Sequence, residues 1–171
     1  MSASLLLIEL KQFLENVFEH VGVGDDNESL KIHLGWLPQT KAPSPGSGPA
    51  KQPDSDFPYL IIRALDGVEE EDNGKVTIRM LVGVQAKEEN GYVEILSLIE
   101  KTKQALLKTG IIGGKFEIER PVKWKLFEEQ PYPEWVGEIL TTWTVPAILR
   151  RLCLIEKRKD STRTNGEKTK G

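Results

Sequence analysis

The sequence contains little of the cysteine and histidine on which disulfide-stabilised proteins and many metalloproteins rely. It has one cysteine, Cys153, and two histidines, His20 and His33, in 171 residues. A single cysteine excludes an intramolecular disulfide and fits a chain made in a reducing cytoplasm. Neither histidine has a second metal-type ligand at close spacing, and Cys153 has no histidine nearby in sequence. We therefore predict no metal site, no cofactor and no catalytic cysteine.

Long apolar runs are also missing from the sequence. No stretch approaches the roughly 20 residues that span a bilayer, and charged residues make up 29% of the chain. We therefore expect no membrane span.

The hydrophobic share of 39% is still enough to form one buried core in a chain of this length. The sequence predicts one α+β domain over residues 1–156.

Two patterns that resemble ligand-binding motifs fail on inspection. The glycine-rich run 110–115 is one residue short of a phosphate-binding loop, is followed by Phe116, and joins a predicted helix to a strand instead of the reverse. The acidic run Glu69–Asp72 does not have the spacing of a calcium loop and is interpreted as a solvated hairpin tip. An acid–base pair formed by residues distant in sequence is left open. With no catalytic constellation in the sequence, we predict that the protein is not an enzyme.

Charge is distributed unevenly along the chain. The segment from Arg150 to Gly171 has eight basic and three acidic residues, a net charge of +5, which leaves 15 basic and 23 acidic residues, or −8, in the remainder. A negative body argues against a general nucleic-acid binder, because binding to phosphate requires a clustered positive surface. We expect the tail to be a solvated end that favours solubility. The alternative is that it contacts DNA, at most weakly and non-specifically, or an acidic partner. The candidate polyanion contacts are Arg150, Arg151, Lys157, Arg158 and Lys159.

Two helices are predicted from apolar residues that recur at three- and four-residue spacing. The first spans Ser4–Val21 and the second runs from about Gly91 to Lys108, with Gly22 and Gly110 as their stop signals.

Two other segments contain few apolar residues that could be buried. They are an exposed insertion at residues 38–53, rich in Pro, Gly and Ser, and a basic disordered tail at residues 157–171.

Four strands are predicted from alternating or continuous apolar runs at Phe57–Leu65, Lys75–Ala86, Lys115–Phe127 and Trp135–Ile148. The connector between the first two ends in Asn-Gly, which predicts an antiparallel hairpin. The second helix spans about 25 Å, enough to carry the chain back along the sheet to a third strand parallel to the second. We predict one mixed four-stranded sheet with both helices on one face, in the order α-β-β-α-β-β.

An open sheet with helices on one face leaves its other face exposed to solvent and its two edges free to pair with other strands. Some apolar strand residues must point away from the helices, so we predict self-association through the uncovered face and edges. The alternative is that the insertion or the chain ends fold over the sheet. The candidate subunit-interface residues are Leu60, Ile62, Leu81, Tyr132, Trp135 and Trp143.

The second half of the chain carries a pattern of element order and sequence. It consists of the helix start Asn90-Gly91-Tyr92, the strand Phe116–Pro121, and a Gln-Pro-Tyr-Pro-x-Trp-x-Gly stretch at residues 130–137. Together these resemble tail-terminator and related head–tail joining proteins of tailed bacteriophages and prophages, over roughly residues 57–146. The stretch at 130–137 also has a purely structural interpretation, because two prolines and aromatic side chains can stiffen and pack a hairpin turn.

The resemblance implies a structural virion subunit that assembles into a ring, commonly a hexamer, which caps the tail tube and presents a surface to the head connector. The expected partners are copies of the chain itself, the tail tube and the head-connector protein. The expected location is the virion tail or neck, after synthesis in the bacterial host cytoplasm. The alternatives are another neck, tail-completion or tail-assembly protein, a nucleic-acid-binding module that uses the basic tail, and a small enzyme or ligand-binding domain with an acidic cleft.

Overall fold

The computed structural model describes residues 3–24, 27–37, 56–70, 72–87 and 91–146. The predicted insertion at 38–53 and the predicted tail at 157–171 lie outside these ranges. In chain order the elements are α1 (Ala3–Phe18), β1 (Gly22–Val23), β2 (Glu28–Ser29), β3 (Lys31–Leu34), β4 (Tyr59–Glu69), β5 (Asn73–Gln85), α2 (Gly91–Thr109), β6 (Ile111–Ile112), β7 (Phe116–Leu126) and β8 (Glu134–Pro146).

Helix α1 forms because one apolar stripe runs along its length. Its buried residues are spaced four apart and lie on the same face of the helix, namely Leu6, Leu10, Leu14 and Phe18. Each fully buried leucine contributes roughly 1.5–3 kcal/mol relative to an exposed one. The first predicted helix is therefore confirmed, although it ends at Phe18 and not at Val21.

Helix α2 packs a similar stripe against the same sheet and ends where the sequence indicates. Ile95, Leu98, Ile99 and Leu106 are buried on its inner side. Gly110 follows the last turn with φ 72°, and its N–H donates to the carbonyl of Leu106 at 2.9 Å. This left-handed conformation strains any residue with a Cβ, which explains glycine as the stop signal.

The main sheet has six strands in the order β3-β4-β5-β8-β7-β6, and β1 and β2 form a separate two-stranded ladder. The predicted four-stranded sheet and its element order are therefore wrong. The four long strands occupy the centre of the sheet, and the short strands β3 and β6 are added at its two edges. Strands of two to four residues contain too few alternations for a periodic pattern to indicate them.

The strand directions make the sheet mixed. β4 pairs antiparallel with β5, as the Asn-Gly signal predicts, whereas β3 pairs parallel with β4. The predicted direction of the third long strand is correct, because β7 runs parallel to β5. The two are not neighbours, however, since β8 lies between them and pairs antiparallel with both.

The hydrophobic core lies between this sheet and both helices, which cover one face only. Every second residue of β5 from Val76 to Val84 is buried on that face. Trp143 of β8 is fully buried, and its Nε1 donates to Thr141 Oγ1 at 2.9 Å. Thr141 in turn donates to the carbonyl of Ile78 at 3.3 Å, so these buried polar groups have partners.

Candidate interaction surface

The sheet face opposite the helices is partly apolar. Tyr59 and Ile61 of β4 are buried there, and Leu81 of β5 and Leu140 of β8 are half-buried. Residues paired across an antiparallel ladder share a face, and the register places Ile61 opposite Leu81. The centre of this helix-free face is therefore an apolar strip that remains partly exposed to solvent.

A charged bridge crosses the same face next to that strip. Glu138 Oε2 lies 3.2 Å from Arg79 Nε, and its Oε1 lies 3.2 Å from Lys125 Nζ. Glu138 is only 9% exposed, whereas both cations are more exposed. The bridge connects the three neighbouring strands β5, β8 and β7. Each pair contributes on the order of 0.2–1 kcal/mol, as expected for pairs open to solvent on the cation side.

Tyr59 covers one end of the helix-free face. Its ring fills the space that a side chain at Gly83 would occupy, and its centroid lies 4.9 Å from that of Phe57. Burial raises the pKa of the Tyr59 hydroxyl, and the nearby carboxyl groups of Glu134 and Asp56 raise it further. This environment favours the neutral phenol.

Both outer edges of the sheet are open over most of their length in the part of the chain that the structure describes. β3 pairs only with residues 59–62 of β4, and β6 pairs only with residues 116 and 117 of β7. Residues 64–69 of β4 and residues 119–126 of β7 therefore have no strand on their outer side among the described residues. The two open segments are on opposite sides of the sheet.

The open edge of β4 leads into an acidic hairpin, defined here as residues 66–72. These seven residues include five acidic ones and no basic one. Glu70 N–H donates to the carbonyl of Asn73 at 2.8 Å, which closes the turn into β5. Two apolar side chains stand beside the acids, with Leu65 41% exposed and Val68 60% exposed. This end of the molecule is both negatively charged and partly hydrophobic.

The open segment of β7 has the opposite charge. The basic edge, defined here as residues 120–125, contains three basic residues and no acidic one. Trp124 lies within it and is 46% exposed, with Lys103 Nζ of α2 5.5 Å from the ring centroid. Arg120 and Lys123 are exposed and form no ion pair with the described residues. Along this edge Trp124 is on the helix side, beside Lys103, whereas Lys123 and Lys125 are on the helix-free side.

The connection between β7 and β8 is held by the side-chain amide of Gln130. Its Nε2 donates to the carbonyls of Phe127 and Val136 at 2.6 and 2.9 Å, and its Oε1 accepts the N–H of Val136 at 2.7 Å. The Tyr132 hydroxyl donates to the carbonyl of Lys87 at 2.7 Å. The Gln-Pro-Tyr-Pro stretch thus packs its own loop against the end of β5, as its structural interpretation requires.

The structure separates the six predicted interface residues into three groups. Leu60, Ile62 and Trp143 are fully buried against the helices, so their side chains are not on a surface. This part of the predicted set needs correction. The continuous apolar run of β4 did not show which alternate residues face the helices, and the apolar side of β8 that carries Trp143 is the side packed against the helices. Trp135 lies half-buried on the helix side beside α2, where Tyr92 contacts it.

The other two predicted interface residues remain accessible. Leu81 is half-buried on the helix-free face, and Tyr132 is 67% exposed on the β7–β8 loop. Their role in subunit contacts stays a prediction. The candidate polyanion contacts Arg150, Arg151, Lys157, Arg158 and Lys159 lie outside the described residues.

The basic edge was not predicted from the sequence, although the signal was present. Lys123 and Lys125 alternate with Trp124 at the end of a strand that contains a proline, a combination typical of an exposed sheet edge. Trp36 was not predicted as a surface feature either. It is largely exposed after β3 and has the Arg63 guanidinium 4.3 Å from its ring centroid. The Arg63 Nε donates to the carbonyl of Gly35 at 2.8 Å, which holds this cation–π pair in place.

Within the described ranges, no group of three or more His, Cys, Asp or Glu side chains is arranged to hold a metal ion. None of the helices in those ranges is long and apolar enough to cross a membrane. No family model matches the chain, and no curated protein matches it.

Proposed function

We propose that this protein is a structural subunit of a phage or prophage tail that forms a ring, caps the tail tube and joins it to the head connector. A ring of identical subunits needs two different, mutually complementary surfaces on opposite sides of each subunit. The observation that carries the proposal is the pair of open sheet edges, which differ in charge and lie on opposite sides of the molecule. The sequence pattern of residues 57–146 supplies the link to tail terminators.

The exposed apolar side chains agree with such a role. Leu65, Val68 and Trp124 are large hydrophobic residues on these two edges, and Tyr132 stands on the loop between β7 and β8. In a subunit of an assembly these side chains are covered by neighbours, and their burial adds to the stability of the complex. Another neck or tail-completion protein would use the same surfaces, so the position in the tail has to be tested directly.

The direct test mixes the purified chain with tail tubes from the phage or prophage that encodes it. We expect negative-stain electron microscopy to show ring-shaped density at the ends of the tubes and none along their sides. Tubes without added protein provide the control for end morphology. A chain that stays monomeric in the presence of tubes and leaves both tube ends bare would contradict the proposal.

A further inference from the structure

We infer that copies of the chain bind one another through the two open sheet edges, with the acidic hairpin of one copy seated against the basic edge of the next. The inference rests on the proposed ring and specifies which surfaces form its subunit contact. The occupant of the basic edge is therefore a second copy of this chain.

Charge complementarity is the first argument for this pairing. The acidic hairpin carries Asp66, Glu69, Glu70 and Asp72 as exposed side chains, and the basic edge carries Arg120 and Lys123. None of these six forms an ion pair within the described residues. Opposite charges on two surfaces speed their encounter and fix their register, whereas like charges facing each other repel.

The apolar side chains of the two surfaces match as well. Leu65 and Val68 are next to the acids in the hairpin strand, and Trp124 is exposed on the basic edge, on the helix side of the strand, while Lys123 and Lys125 are on its other side. Tryptophan and arginine are enriched among the residues that contribute most to binding between proteins, above all where surrounding contacts exclude water. A contact that brings the hairpin onto the basic edge would bury all three exposed hydrophobic residues and pair the surrounding charges.

Irregularities in both edges favour a contact through side chains over a continuous backbone ladder. The register shifts between Ala64 and Asp66 in β4 and between Glu119 and Lys123 in β7. Pro121 lies inside the second irregularity and has no N–H to donate. Bulges, prolines and lysines are the features that prevent indiscriminate edge-to-edge pairing of sheets. Specificity for another copy must therefore come from the side chains.

The two surfaces also determine how the contact repeats. Because the two surfaces lie on opposite sides of the molecule, one two-fold contact can include only one of them. Such a contact would place acidic hairpin against acidic hairpin or basic edge against basic edge, so like charges would meet. A contact between unlike surfaces leaves one acidic hairpin and one basic edge free on every pair, and further copies can add until the ends meet.

The test uses charge reversal of each surface. One variant, E69K/E70K/D72K, changes the charge of the acidic hairpin from −5 to +1, and a second, R120E/K123E, changes that of the basic edge from +3 to −1. The matched controls are E15K/E19K/E28K, in and after α1, and K101E/K108E on α2, which change the net charge equally at other exposed positions. Circular dichroism checks that every variant is folded. Sedimentation velocity at about 50 mM salt, where charge screening is weak, then measures association over a concentration series.

We expect the wild type and both controls to form species larger than a dimer, and each edge variant to associate at least about tenfold more weakly. Combining both reversals in one chain should restore association, because the charges again match. Association of every variant at the wild-type level would overturn the inferred contact, and so would a combined variant that remains as weak as its parents. A wild type that is monomeric at every concentration also overturns it.

These outcomes are distinguishable from failure of the proposed function. Assembly that survives both reversals removes this contact but leaves the ring proposal intact, since another surface then joins the copies. The ring proposal is contradicted only by wild-type protein that fails to cap tail tubes. Dissociation of the wild-type oligomer as salt rises from about 50 to 200 mM is a further expected result, because screening weakens contacts between exposed charges.

Discussion

The indole ring of Trp135 lies directly against the backbone of Gly91, the first residue of α2. A Cβ atom at position 91 would overlap the ring, so glycine is required there for space. The Trp135 Nε1 donates to the carbonyl of Ala86 at 3.2 Å, just after β5 ends. One side chain of β8 thus connects the start of α2 with the end of β5.

Gly91→Ala is therefore expected to lower the free energy of unfolding by up to about 2 kcal/mol. Alanine normally favours a helix over glycine by about 1 kcal/mol, but the overlap with Trp135 costs roughly 1–3 kcal/mol and outweighs that gain. Urea unfolding measures the effect. The same substitution in a Trp135→Leu background should cost less, because the smaller side chain can move away. Equal costs in both backgrounds would show that contact with the ring is not the cause.

Leu60 and Leu81 lie on neighbouring strands but on opposite faces of the sheet. Leu60→Ala should lower the free energy of unfolding by about 2–5 kcal/mol, because it leaves a cavity in a fully buried site. Leu81→Ala, at a half-buried position on the helix-free face, should cost about 1 kcal/mol or less. Urea unfolding of the two variants provides the comparison. A large stability loss in Leu81→Ala alone would reverse this assignment of core and surface.

Gln130 is expected to be the main residue that fixes the β7–β8 loop. Gln130→Ala removes three hydrogen bonds from a partly buried site and should lower the free energy of unfolding by about 1–3 kcal/mol. Gln130→Glu should be at least as costly, because it places a carboxylate against two carbonyl oxygens. Gln104→Ala, which removes an exposed contact with Glu100 on α2, is the control and should stay within about 0.5 kcal/mol of wild type. Chemical denaturation measures the free energy of unfolding of all three variants. A Gln130→Ala variant as stable as the wild type would argue against this role of Gln130 in the loop.

The raised pKa of Tyr59 predicts that the folded chain loses stability at alkaline pH. Its pKa is raised in the folded chain, whereas in the unfolded chain it titrates near its ordinary value of about 10. Above that pH the unfolded chain releases a proton that the folded chain retains, so the unfolded state binds fewer protons and the free energy of unfolding falls as pH rises. The contribution of the neutral Tyr59 side chain to the free energy of unfolding is fully present below about pH 10. It is lost as the pH rises toward the pKa of Tyr59 in the folded chain.

The Tyr59→Phe variant isolates this contribution from the other groups that titrate in the same range. Between about pH 9 and 11 the wild type should lose more stability than the variant, measured by urea unfolding at each pH. Near neutral pH the two proteins should differ little, since the phenol is neutral and no hydrogen bond of its hydroxyl occurs among the described contacts. Parallel curves over the whole range would contradict the prediction.

Much of the fold could be predicted from the sequence because its long elements have strong periodic patterns. The alternation of β5 and the four-residue spacing in α1 each indicate which residues are buried without tertiary information. The short strands β3 and β6 could not be predicted, since their pairing depends on neighbours distant in sequence. The insertion of β8 between β5 and β7 is likewise a matter of tertiary packing, because the sequence indicated direction but not adjacency.

The surface was less predictable than the fold, for a physical reason. In β4 the residues 59–62 are apolar on both faces, so the pattern does not reveal that Leu60 faces the helices while Ile61 faces away. The acidic hairpin was visible in the sequence but was interpreted as a solvated tip. Its relation to the basic edge became apparent only when the strand order placed the two on opposite sides of one sheet.

The two open edges are displaced from each other along the strands, and this displacement limits the geometry of any closed assembly. Glu119 lies level with Asp66 across the ladder, and residues 120–125 lie further from the hairpin end. Seating the acidic hairpin on the basic edge of a neighbour therefore shifts each copy by about five residues, or roughly 15 Å, along the strand direction. If the strands of each copy run parallel to the assembly axis, every added copy is displaced along that axis, and the assembly is an open helix instead of a closed ring. Closure requires the strands to incline to the axis, as they do in β-barrels, where stagger and tilt are linked.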